Sequence, residues 1–205
     1  RVTNFEMLVR AAILSKKIRA LDIGESGYVG VLMPNCTVLA SLMLGVMYSD
    51  RTPAVINFSA GADVALEAAR RAGISVILTS RKFLAKLGWE AAPEMVFLED
   101  VAKSVTKREK KRAALRILLL PRRLAPLSGF NVQRQAVLLF SSGSTGRPKA
   151  VMLTHRNINC DLWAFWRVIV WSKADWIVGN LPLFHAYGFT VEFAFPAMSG
   201  TPTVY

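Results

Sequence analysis

Cysteine and histidine are scarce in this chain, with two of each in 205 residues, and acidic residues number 14 against 26 lysines and arginines. Cys36 and Cys160 stand far apart, with neither a metal-ligand spacing nor a paired framework, so a disulfide scaffold and a zinc module are both disfavoured. Together with a start that lacks the pattern of a secretory signal, this predicts a reducing, cytosolic compartment. His155 and His185 rule out a His-rich metal site and leave few candidates for a general base. Internal repeats and low-complexity segments are absent. The longest apolar stretch, Tyr28 to Tyr48, is interrupted at Pro34-Asn35, which predicts a strand, a turn and a buried helix rather than a membrane span.

The shortage of acids leaves a formal charge of +12, which raises nucleic acid or an anionic membrane surface as partners. Its distribution is uneven. Nine basic residues between Lys103 and Arg123 face Glu109 alone, so +8 of the +12 lies there. From Lys103 to Leu120 the pattern runs from charged to apolar, predicting one helix that either connects subdomains or lies at a membrane surface. Nucleic acid is the weaker reading, because no aromatic residues interleave with the charges to stack on bases.

With 53% hydrophobic residues the chain has ample material for a core. Phe5 to Ala20 has the spacing of an amphipathic helix with cations at its end. Strands are predicted at Tyr28 to Met33, Pro53 to Asn57, Ser75 to Thr79 and Met95 to Leu98. Helices are predicted between them at Cys36 to Tyr48, Ala62 to Ala72 and Phe83 to Leu87. Continuous apolar strands separated by helices predict an α/β fold whose parallel sheet is covered on both faces. The expected division is a βαβ region over 1–100, a basic connecting helix over 101–130, and the remaining motifs over 131–205. In that last part, Arg156 to Val170 reads as a helix capped by Thr154, with Trp163, Phe165 and Trp166 as core. A strand at Asp175 to Asn180, an apolar helix ending at Met198 and a strand from Thr203 follow.

Between the apolar runs Ala136 to Phe140 and Ala150 to Leu153 lies Ser141-Ser142-Gly143-Ser144-Thr145-Gly146-Arg147-Pro148-Lys149. Small residues let the backbone approach a polyanion, hydroxyls donate to its oxygens, and Arg147 and Lys149 bring positive charge. A nucleotide triphosphate fits such a loop. A Walker loop would need Gly-Lys-Ser/Thr entering a helix, whereas Gly146 is followed by Arg147-Pro148 and an apolar run that reads as a strand. On composition alone, a solvated Gly/Ser turn between two strands stands ahead of a phosphate site.

The full string Ser-Ser-Gly-Ser-Thr-Gly-x-Pro-Lys resembles the ATP signature of the adenylate-forming superfamily of acyl- and aryl-CoA ligases, luciferases and peptide-synthetase adenylation domains. The resemblance implies that Ser141, Ser142, Gly143, Ser144, Thr145 and Gly146 fold over the β- and γ-phosphates, with Lys149 as the closing lysine. The family usually has Gly where this chain has Ala150. A second segment, Leu181-Pro182-Leu183-Phe184-His185-Ala186-Tyr187-Gly188, resembles the family's second signature. It implies that His185 lines the acyl site near the carboxylate, while Phe184, Tyr187 and Gly188 shape its wall.

Residues Arg51 to Gly61, Leu78 to Arg81 and Phe97 to Asp100 are similar to the synthetase part of bacterial acyl-[acyl-carrier-protein] synthetases, including the bifunctional 2-acylglycerophosphoethanolamine acyltransferase. The fold implied is the parallel-sheet βαβ part of the N-terminal adenylation domain, truncated, over 1–205. The family's adenine-contacting aromatic, Mg²⁺-proximal Thr-Glu pair, ribose-binding Asp and catalytic Lys lie further along than these motifs. The activity implied for the full-length enzyme is attack of a fatty acid on ATP, with Mg²⁺, to give acyl-AMP, followed by transfer to the thiol of acyl carrier protein or CoA. The narrower similarity also implies a lysophospholipid acceptor and a place at the cytoplasmic face of the inner membrane. A fatty-acyl-CoA ligase and a non-catalytic module that binds carrier protein or membrane are the alternatives.

Overall fold

A computed structural model describes residues 2–119, 131–141, 148–172 and 174–205. The first helix, α1 (Asn4–Ile18), starts at a capping box in which the Glu6 amide donates to Thr3 Oγ1 at 3.2 Å and the Thr3 amide donates to the Glu6 carboxylate at 2.8 Å. It buries Ala11, Ser15 and Ile18 against α2 (Thr37–Tyr48). The long apolar stretch resolves as predicted into strand β1 (Tyr28–Val31), a turn and α2, which is buried over most of its surface. At Gly45 the two helices nearly touch, since a Cβ there would lie 2.8 Å from Leu14 Cβ and 3.3 Å from the Ala11 carbonyl.

Strands β2 (Thr52–Val55), β3 (Ile77–Thr79) and β4 (Met95–Phe97) alternate with α3 (Ala62–Arg71) and α4 (Arg81–Leu87). They join β5 (Gln135–Ser141) and β6 (Lys149–Thr154) in one six-stranded sheet of order β4-β3-β1-β2-β5-β6. The first five strands in this order pair in parallel, and β6 returns antiparallel to β5. Alternation along each strand sends side chains to opposite faces. Val137 and Leu139 join Val29, Val31 and the α2 side chains on one face, while Leu138 and Phe140 join Ala54, Ile56 and the α3 and α4 side chains on the other.

The helix expected over Lys103 to Leu120 forms as α6 (Lys107–Leu119), starting four residues later than expected, and a separate short helix, α5 (Leu98–Lys103), precedes it. The Glu109 amide donates to Thr106 Oγ1 at 3.2 Å and the Thr106 amide donates to Glu109 Oε2 at 2.9 Å, a capping box that starts a new helix inside the charged run. Residues 120–130 of the expected connecting segment lie outside the described residues.

Helix α7 (His155–Val168) begins at the predicted Thr154 cap, and of its expected core aromatics only Phe165 packs on the core, 4.9 Å from the buried Phe195 ring. Trp163 and Trp166 are 64% and 43% exposed, and only Leu162 of the helix is fully buried. Of the strand expected over Asp175 to Asn180 only β7 (Ile177–Val178) forms. The apolar stretch after it is broken into α8 (Ala186–Gly188), a π-helical turn (Phe189–Ala194) and α9 (Phe195–Ser199). The final strand, β8 (Thr203–Val204), pairs in parallel with β7.

Candidate functional site

The Ser/Gly/Thr loop is the link of an antiparallel hairpin. Ser141 closes β5 and faces Lys149, the first residue of β6, and its hydroxyl donates to the Lys149 carbonyl over 3.4 Å. Both are exposed, whereas Leu139 and Phe140 just before Ser141 are buried, so β5 passes from the core to the surface at Ser141. This strand-to-strand passage agrees with the sequence reading and differs from the strand-to-helix passage of a Walker loop. Ser142, Gly143, Ser144, Thr145 and Gly146, with Arg147, lie outside the described residues.

The second segment is fastened to the sheet by two residues that sequence reasoning did not single out. Asn35, just past β1, donates from its amide nitrogen to the Leu181 carbonyl at 2.6 Å and to Glu192 Oε2 at 3.1 Å, and its side-chain oxygen accepts from the Leu183 amide at 3.3 Å. Glu192 is 2% exposed, and its Oε1 accepts from the Asn180 and Leu181 amides at 3.1 and 2.7 Å. The Tyr205 hydroxyl donates to the Glu192 carbonyl at 2.9 Å, and burial pushes its pKa up to about 12. The available signal for Glu192 was its place as the one acid in the apolar run Phe184 to Met198, where an unpaired charge needs partners.

From this anchored loop the chain turns into α8 at His185, which is exposed, as is Tyr187 at 63%. Gly188 permits the turn, since a Cβ there would lie 2.6 Å from the Pro182 carbonyl and 3.0 Å from that of Leu181. Phe184 is buried at 4% exposure and packs edge-on against Phe58 at 5.0 Å, with the His185 ring 4.5 Å from it. Phe58 in turn packs on Phe83 at 5.2 Å. The exposed imidazole is therefore backed by aromatic rings that reach into the core. Of the four residues expected at the acyl wall, His185 and Tyr187 meet solvent, while Phe184 and Gly188 lie behind them.

Both motifs are brought to the carboxyl ends of the parallel strands. Val55 of β2 pairs with Leu139 of β5; two residues beyond Leu139 is Ser141, and three beyond Val55 is Phe58, which holds Phe184. This is the edge at which open α/β sheets bind ligands. His155, the other histidine, sits where α7 begins, and burial, then the nearby Arg134 cation, lowers its pKa and favours the neutral imidazole. Among the described residues no group of three or more His, Cys, Asp and Glu is placed to hold a metal.

The family profile described as AMP-binding enzyme matches residues 1–205. The chain belongs to the AMP-binding enzyme family. Among relatives, a long-chain-fatty-acid–CoA ligase of Bacillus subtilis (strain 168) is 47% identical over 57 residues, 27% of this chain and 10% of that protein. A sulfoacetate–CoA ligase of Cupriavidus necator is 27% identical over an alignment of 217 residues, which covers 95% of this chain and 37% of the ligase. The same AMP-binding fold is found in the O-succinylbenzoate coenzyme A synthetase of Bacillus subtilis solved in complex with ATP and magnesium ion. Its TM-score is 0.75 at 16% identity, over all of this chain and 50% of that one. The chain thus spans about half, or less, of the AMP-binding proteins it matches.

Proposed function

We propose that this chain forms the N-terminal part of an ATP-dependent acid–thiol ligase that activates a fatty acid as its acyl-adenylate and passes the acyl group to a thiol. The observation that carries the reading is the hairpin: a Ser-Ser-Gly-Ser-Thr-Gly-x-Pro-Lys string hung between Ser141 and Lys149 at the carboxyl edge of the sheet. Hydroxyls and small residues suit a triphosphate, and Lys149 adds a charge-assisted contact. Backbone and hydroxyl donors of Ser141 to Gly146 would hold the β- and γ-phosphates as pyrophosphate leaves. His185 and Tyr187 would face the acid, with Phe184 and Gly188 fixing their position from behind. Mg²⁺ bound to the phosphates would neutralise charge there.

Identity to a long-chain-fatty-acid–CoA ligase supports a fatty acid as the acid and CoA as the acceptor. Carrier protein as acceptor, with onward transfer to a lysophospholipid, rests only on the similarity of residues 51–61, 78–81 and 97–100. The test is pyrophosphate release by the full-length enzyme with fatty acids and with sulfoacetate, then thioester formation with CoA and with carrier protein. Fatty-acid-dependent release followed by acyl-CoA is expected. Release with sulfoacetate alone would overturn the fatty acid, and thioester on carrier protein alone would overturn CoA.

A further inference from the structure

Helix α6 carries a surface that neither motif uses. At about 3.6 residues per turn, Glu109, Ala113 and Ile117 share one face. That face is occupied: Glu109 lies 2.9 Å from the Lys16 ammonium and 3.3 Å from that of Lys17 on α1, and Ile117 is buried. The opposite face presents Lys107, Arg108, Lys111 and Arg112 in its first half, all exposed. Leu115, Leu118 and Leu119 follow in its second half, at 54%, 69% and 63% exposure. Among the described residues, Lys107, Arg108, Lys110, Lys111, Arg112 and Arg116 form no ion pair, and the one acid of the helix is taken by α1.

We infer that this face of α6 docks on an anionic phospholipid bilayer, its cations over the headgroup phosphates and its three leucines in the interface. A solvated connector accounts for the charge but gives no reason for three adjacent exposed leucines. An acidic protein matches the cations, but the three exposed leucines on the same face suit a bilayer surface, where apolar side chains reach below the headgroups while the cations stay among the phosphates. Among the described residues no helix is long and apolar enough to cross a membrane, so the contact is peripheral. The inference does not rest on the ligase reading, and its test uses neither ATP nor acid.

The chain is sedimented with vesicles of phosphatidylcholine and with vesicles of phosphatidylcholine mixed with phosphatidylglycerol. Binding to the mixed vesicles alone is expected at low salt, falling at least about tenfold as salt shortens the Debye length. Replacing Lys107, Arg108, Lys110, Lys111 and Arg112 with Gln should weaken binding on the order of a hundredfold. Replacing Leu115, Leu118 and Leu119 with Ser should spare low-salt binding and remove what persists at high salt. All eight positions are exposed, so both variants should melt with the parent. Parental sedimentation by the Gln variant, equal binding to both vesicles, or displacement of the chain from vesicles by an acidic carrier protein that binds it more tightly would each overturn the proposal.

Discussion

Glu192 is a carboxylate taken out of water with no ion-pair partner among the described residues, held instead by two backbone amides and the Asn35 side chain. Replacing it with Ala strands both amides, and each buried donor left unsatisfied costs about 1–3 kcal/mol. Glu192→Ala should therefore shift the urea midpoint far more than Glu192→Gln, which keeps an oxygen for the two amides; equal midpoints would show that water replaces the carboxylate. Lys149 is the opposite case, exposed and committed only through its charge. In the full-length enzyme Lys149→Ala should slow pyrophosphate release roughly tenfold to a hundredfold, the loss of one charge-assisted contact. An unchanged rate at saturating acid would remove Lys149 from the phosphate site. Lys149 and His185 were identifiable as candidates because each sits in a contiguous string. Asn35 and Glu192 were not, because their pairing spans 157 residues and no local pattern encodes it.

Elements whose apolar period is unbroken were legible almost to the residue, as α2 and the buried strands show, since burial on one or both faces leaves little choice of period. The misplaced start of α6 has a different origin. Thr106 to Glu109 is an S/T-x-x-E start signal, but it is embedded in a charge run whose density hid it. The same box makes α6 acid-sensitive. The Thr106 amide, then Lys16, hold the Glu109 pKa at about 2 against an ordinary 4.5. A carboxylate depressed in the folded state stabilises fully above the ordinary value and loses its contribution as pH falls through the folded one. Amides of Lys107 to Leu119 should thus exchange faster as pH drops from 4.5 towards 2, after correction for intrinsic rates, and Glu109→Gln should flatten that dependence. A profile shared by parent and variant would mean that Ile117 alone holds the helix. The strand expected over Asp175 to Asn180 was over-read for lack of buried alternation, since only Ile177 and Val178 pair and Val178 is exposed, whereas β8 starts at Thr203 as expected.

At the scale of the whole molecule, the layered α/β sheet followed from the order of strands and helices, whereas the antiparallel pairing of β6 at the sheet margin and the edge at which the two motifs meet needed the structure. Two apolar clusters, one on each face, give the chain its own core, so it should fold in isolation. If the proposed function holds, its nucleotide contacts are those to the phosphates, so calorimetric titration of the isolated chain with ATP should show no micromolar binding. Such binding would mean that the adenine and ribose contacts are also made here. The exposed indoles of α7 have an optical consequence. Four of the five tryptophans, Trp163, Trp166, Trp171 and Trp176, fall in a fourteen-residue stretch, and Trp89 stands alone beside the opposite cluster. With Trp163 and Trp176 more than half exposed, native fluorescence should already be red-shifted and open to iodide quenching. Trp166 and Trp171 instead pack on the buried Phe195 ring at 5.7 and 5.1 Å, so a fluorescence unfolding curve should report mainly the loss of that contact in the C-terminal quarter, with Trp89 alone reporting the opposite face of the sheet.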